Sequence, residues 1–120
     1  MDLLGKHLVG REYPPYNVLA YVGLFGLGMA LHNWYISPAS LYQAAWALFT
    51  GFPCTFIASG GAERFLDQTC TLWDKMMKDM DRGVVTYYEE PDGIHDFIGY
   101  PSHPGYLAVQ DAIRNWLAPN

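Results

Sequence analysis

Two short stretches hold the residues of this 120-residue chain that could do chemistry. In the first, Gly93-Ile94-His95-Asp96-Phe97, a histidine follows the apolar run Val84-Val85-Thr86-Tyr87-Tyr88. A histidine on a loop straight after a β-strand can act as a general base. In the second, Gly60-Gly61-Ala62-Glu63-Arg64-Phe65-Leu66-Asp67, an acidic cluster follows an earlier strand-like run. A carboxylate beside a histidine fixes its tautomer and stabilises the imidazolium that forms when the ring takes a proton. No nucleophile in a recognisable setting accompanies them. Ser37, Ser40, Ser59 and Ser102 are the only serines, and none lies in a Gly-x-Ser-x-Gly turn.

Whether acid and base meet depends on the elements between them. Gly51-Phe52-Pro53 is a turn, and Cys54-Thr55-Phe56-Ile57-Ala58 reads as a short buried strand broken by Ser59-Gly60-Gly61. Leu66, Cys70, Trp73, Met77 and Met80 recur at helical steps, which predicts an amphipathic helix over 63–80. Asp67, Asp74, Lys75, Lys78 and Asp79 fall off that stripe, and Asp81-Arg82-Gly83 stops the helix with a glycine. Val84 to Tyr88 is a second strand, followed by the loop Glu89-Glu90-Pro91-Asp92-Gly93. Val109, Ala112, Ile113, Trp116 and Leu117 predict a final helix over 104–117, with Pro104 near its start. Strand, helix, strand in this span is a βαβ unit with parallel strands and a right-handed crossover. Functional loops of such sheets lie beyond the carboxyl ends of the strands. Glu63 and His95 both fall there, on neighbouring strands.

The first half of the chain is of another kind. Residues 1–62 carry only Asp2, Lys6, Arg11 and Glu12; the other fifteen charged side chains lie in 63–120. The apolar run Val18–Leu31 has fourteen residues, short of the ~20 that span a bilayer as a helix. Its Gly23, Gly26 and Gly28 do not make a GxxxG face. The start Met1-Asp2-Leu3-Leu4-Gly5 is not basic, and no small-residue cleavage site ends the run, which argues against a signal peptide. A buried connector or cap segment is the expected role. Tyr13-Pro14-Pro15-Tyr16 reads as an extended linker before it reads as a proline-rich ligand.

Composition excludes some functions. Charged residues are 16% of the chain and hydrophobic ones 51%, against about 25% charged in an ordinary soluble domain. A net charge of −5, with seven Lys and Arg that never form a run, argues against nucleic-acid binding. Cys54 and Cys70 make no disulfide framework and are expected to be buried thiols. Trp34, Trp46, Trp73 and Trp116 are expected in the core. Asp92, His95 and His103 fit no standard metal-ligand spacing. Asp92 and Asp96 are expected to be solvated, and His103 to belong to the start of the last helix.

Residues 50–117 resemble the C-terminal part of α/β-hydrolases of the hormone-sensitive-lipase-like esterase group. The matching stretches are Gly51-Phe52-Pro53-Cys54-Thr55-Phe56-Ile57, then Gly60-Gly61-Ala62-Glu63 with Asp67 four residues on, then Pro91-Asp92-Gly93-Ile94-His95-Asp96-Phe97. Tyr35-Ile36-Ser37-Pro38 resembles the Ser-Pro element that precedes this strand in the family. The resemblance implies Glu63 in the acid position of a Ser-acid-His triad and His95 in the base position. The commoner acid there is Asp. Asp67 is the competing candidate, but it lies a helical turn further on.

The expected fold is therefore α/β: residues 50–120 as the C-terminal part of an α/β-hydrolase domain, a βαβ unit plus final helix, preceded by a mostly helical connector or cap-derived segment over 1–49. The family's nucleophile and its HGGG-type oxyanion loop precede the acid and the histidine in chain order, and neither occurs here. The resemblance thus implies part of a carboxylic ester hydrolase, inactive alone, whose full-length parent takes a small-molecule ester and needs no cofactor or metal. Two rivals are a non-catalytic interaction module and a small membrane-associated protein anchored by residues 18–36. An exposed sheet edge is the expected route to self-association.

Overall fold

The computed structural model describes residues 20–42, 47–81 and 83–118. Tyr13-Pro14-Pro15-Tyr16, Trp46 and Arg82 lie outside them. The chain divides into two compact units, Met1–Ala47 and Leu48–Asn120.

The first unit contains a 3₁₀ turn, Gly23–Phe25, and helix α1, Gly26–His32. Gly23 and Gly26 take positive φ, 54° and 73°, a region that favours glycine. These two residues break the apolar run into short helical pieces. Tyr21 and Leu24 are consequently exposed, while Val22 is buried, so the expected burial of this run holds only in part. After α1 the chain turns at Asn33, whose side-chain Oδ1 accepts a hydrogen bond from Tyr35 N–H at 2.9 Å. Trp34 is exposed, contrary to its expected place in the core, because it sits on this turn. No helix among the described residues is long and apolar enough to cross a membrane.

The second unit is mixed α/β. Its elements are β1 Thr55–Gly60, α2 Leu66–Asp79, β2 Val85–Glu90 and α3 Tyr106–Leu117, with a 3₁₀ turn Phe97–Gly99 before α3. The strands are parallel, in the register Thr55↔Val85 through Gly60↔Glu90. Parallel strands need a crossover connection, and α2 supplies it. Side chains alternate between faces along a strand. Tyr87 meets α2, stacking on Trp73 with ring centroids 5.2 Å apart. Phe56 belongs to the other face and lies 5.7 Å from Trp116 of α3. The helices thus cover opposite faces of the two strands. Val109, Phe97, Met76, Val85, Ile57 and Phe49 form the buried apolar set of this unit.

Element boundaries depart from the sequence reading in ways that bear on the site. Ser59 and Gly60 do not break β1; they are its last residues, paired with Glu89 and Glu90. Helix α2 begins at Leu66 rather than at 63, which leaves Glu63 on the turn before it, closed by Glu63 N–H donating to Gly60 O at 3.2 Å. At the far end Met80 already has extended backbone. Gly83, at φ 90°, shapes the turn into β2 instead of ending the helix. Pro104 precedes α3, whose cap is Gly105.

Burial brings further corrections. Lys75, off the apolar stripe, is 7% exposed and sits beside the buried Met76; its long methylene stem is apolar enough to pack. Burial, with the charge of Lys78, lowers its pKa. The expected stripe residues Leu66, Cys70, Trp73, Met77 and Met80 are half-buried. Cys54 is exposed, because it precedes β1 rather than lying in it, and Cys70 is half-buried.

Candidate functional site

The carboxyl ends of β1 and β2 are held together by glycines. A Cβ at Gly60 would collide with the backbone carbonyl of Gly93, and one at Gly61 would come within 2.5 Å of Pro91 O. Because neither residue has a side chain, the loops can touch backbone to backbone. Two hydrogen bonds close the contact, Gly61 N–H to Glu90 O at 2.7 Å and Ala62 N–H to Gly93 O at 3.0 Å, while Gly93 N–H to Glu90 O at 2.9 Å closes the turn after β2 itself. The loop after β1 carries Glu63 and the loop after β2 carries His95.

The two side chains meet. His95 Nδ1 lies 2.8 Å from Glu63 Oε2. The Glu63 side chain is 8% exposed and that of His95 59%. The other carboxylate oxygen, Oε1, accepts Ser59 Oγ–H at 2.6 Å and Gly60 N–H at 3.2 Å. Burial pushes the Glu63 carboxyl up, but hydrogen bonds from Ser59, His95 and Gly60 outweigh it and hold the group below its ordinary 4.5. The Glu63 hydrogen bond, with the charges of Asp96 and Glu63 and against some desolvation, raises His95 above its ordinary 6.5. An ionised Glu63 fixes the Nδ1–H tautomer and leaves Nε2 as the basic atom.

The loop after His95 is built to hold the ring outside. Asp96 is the only non-glycine with positive φ among the described residues, at 57°. Asp tolerates this left-handed conformation better than most residues. The turn sends Phe97 into the core, 2% exposed, while His95 stays at the surface. Phe65 packs edge-on against the imidazole, centroids 5.4 Å apart. Beside them is a cavity of about 320 Å³, lined by Ala58, Phe65, Thr69, Phe97 and Ile98 together with Glu63 and His95.

The competing residues lie elsewhere or do other work. Asp67 is exposed in the first turn of α2, where a negative charge suits the helix dipole. Its backbone carbonyl accepts a hydrogen bond from Thr71 Oγ1 at 2.8 Å. Asp92 and Asp96 are exposed, yet Asp96 also shares the imidazole: its Oδ2 is 3.5 Å from His95 Nε2. His103 Nδ1 accepts Gly105 N–H at 3.0 Å, at the start of α3. No group of three potential metal ligands occurs among the described residues.

Sequence reasoning missed Ser59, which reads only as the first residue of a breaker. Its signal is four-residue spacing to Glu63 across a double glycine, which makes a turn tight enough to bring hydroxyl and carboxylate together. Phe65 was legible only as part of the acidic cluster. The chain matched none of the protein-family models, curated proteins or solved structures with which it was compared.

Proposed function

We propose that Glu63 and His95 are the acid and base of a serine-hydrolase-type triad for carboxylic esters, in the manner of the hormone-sensitive-lipase-like α/β-hydrolases that residues 50–117 resemble. Glu63 orients His95 and stabilises its imidazolium. His95 Nε2 takes the proton of a serine hydroxyl and later gives it to the leaving alcohol. The serine and the oxyanion donors come from polypeptide other than these 120 residues. The observation that carries this reading is the 2.8 Å contact of a nearly buried carboxylate with Nδ1 of an exposed histidine, at the carboxyl ends of two parallel strands. Ser59 does not serve as the nucleophile, because its hydroxyl is buried and donates to Glu63.

The test has two arms, each read with p-nitrophenyl butyrate and fluorophosphonate labelling followed by mass spectrometry. Alone, the chain should show no stoichiometrically labelled serine. Joined to in-frame sequence bearing HGGG and Gly-x-Ser-x-Gly motifs, it should turn over ester and lose that turnover by several orders of magnitude on His95→Ala. Full turnover in the joined His95→Ala protein, or a labelled serine in the chain alone, overturns the reading.

A further inference from the structure

We infer that Ser59 is a positioning residue of this site: its hydroxyl locks the Glu63 carboxylate in the orientation that holds His95. The inference rests on the reading of Glu63 and His95 as acid and base. The carboxylate divides its two oxygens. Oε2 faces His95 Nδ1 at 2.8 Å, and Oε1 accepts Ser59 Oγ–H at 2.6 Å and Gly60 N–H at 3.2 Å. Short O–H···O⁻ bonds of this kind are among the stronger ones available to a protein. Ser59 is only 2% exposed, so water cannot easily replace it. Its own position is fixed by the ladder, where it pairs with Glu89.

The consequence is that the rotation of Glu63 is set from β1 rather than from its own loop. Glu63 sits on a turn outside helix α2, and its side chain has several rotatable bonds. Without the hydroxyl, Oε1 keeps one donor, the backbone Gly60 N–H, at the longer of the two distances. The carboxylate is then freer to swing from Nδ1.

A double-mutant cycle on the full chain separates this role from a general structural one. The readout is the titration of His95, followed by NMR of its ring nitrogens. Ser59→Ala should lower the His95 pKa toward its ordinary value. In the Glu63→Gln background, Ser59→Ala should produce no further change, because the hydroxyl acts through the carboxylate. Asp96, which faces Nε2, stays in place in all four proteins. Ser59→Thr keeps the hydroxyl and should keep the wild-type titration. An unchanged His95 in Ser59→Ala, or an equal shift in both backgrounds, overturns the role. Should Ser59→Ala fail to fold, the unsubstituted chain decides. A slowly exchanging Ser59 hydroxyl proton close to Glu63 supports the role, and a hydroxyl exchanging freely with water ends it. Because the titration needs no ester turnover, it can fail while the hydrolase reading stands, and the reverse.

Discussion

The bond between Glu63 and His95 makes stability depend on pH in a defined window. His95 is raised by its hydrogen bond to Glu63, so its contribution is complete below 6.5 and is lost as pH rises through the folded value. Glu63, whose burial is outweighed by its hydrogen bonds, is lowered. Its contribution is complete above 4.5 and is lost as pH falls through the folded value. Both are complete between about 4.5 and 6.5. Replacing Glu63 by Gln should remove this local maximum from a plot of thermal midpoint against pH. A profile of unchanged shape would show that the two groups do not titrate together. Asp67→Asn, on the exposed first turn of α2, should cost about 0.3–1 kcal/mol of helix-dipole stabilisation at neutral pH, read as a small drop in thermal midpoint. At this scale the sequence was informative where chemistry needs a residue type at a strand end, which is why Glu63 and His95 could be read from it. It was silent on Ser59 and Lys75. A serine before two glycines has no period, and a lysine's apolar stem is invisible to a pattern that counts only its charge.

Among the elements, the glycines at the strand ends matter as much as the strands. Gly60→Ala drives a Cβ into the Gly93 carbonyl, and the neighbour is backbone, which cannot rotate aside. The expected cost is at the upper end of the about 1–3 kcal/mol typical of overpacking, with the His95 pKa falling as the loops separate. Gly99, with open space around its Cα, is the control; Gly99→Ala should change the thermal midpoint little. Equal melts for the two variants would mean that the loops are not held by this contact. The βαβ order, the helix periods and the final helix were legible because apolar spacing reports burial directly. The ends of β1 and α2 were not. A glycine pair looks like a break, and only the register shows Gly60 still pairing with Glu90.

For the molecule as a whole, the described sheet has two strands, each with one edge unpaired. Two strands are marginal without further cover, and open edges invite another chain. Phe52, Phe65, Ile94 and Tyr100 add exposed apolar surface to the same unit. Self-association of the 120-residue chain is the expected outcome, seen as a concentration-dependent mass in analytical ultracentrifugation. A monomer at all concentrations that melts in one sharp transition would rule it out. The mixed α/β class could be read from pattern. The breaks in the apolar run of the first unit could not, since positive φ at Gly23 and Gly26 is a property of the folded backbone and not of composition.

Glu63 and His95 are 32 residues apart in the chain, and they can meet only after the crossover has returned β2 to β1. Arrangement in space therefore becomes order in time. The local contacts of α2 can form early, while the parallel ladder waits on loop closure. The acid–base pair comes last, because each loop is set by a finished strand. The imidazole is thus a clock built into the chain. During refolding, its resonance should reach the native position together with protection of the β1–β2 amides and after the helicity of α2. A native imidazole signal ahead of that protection would mean that the loops find each other before the sheet exists.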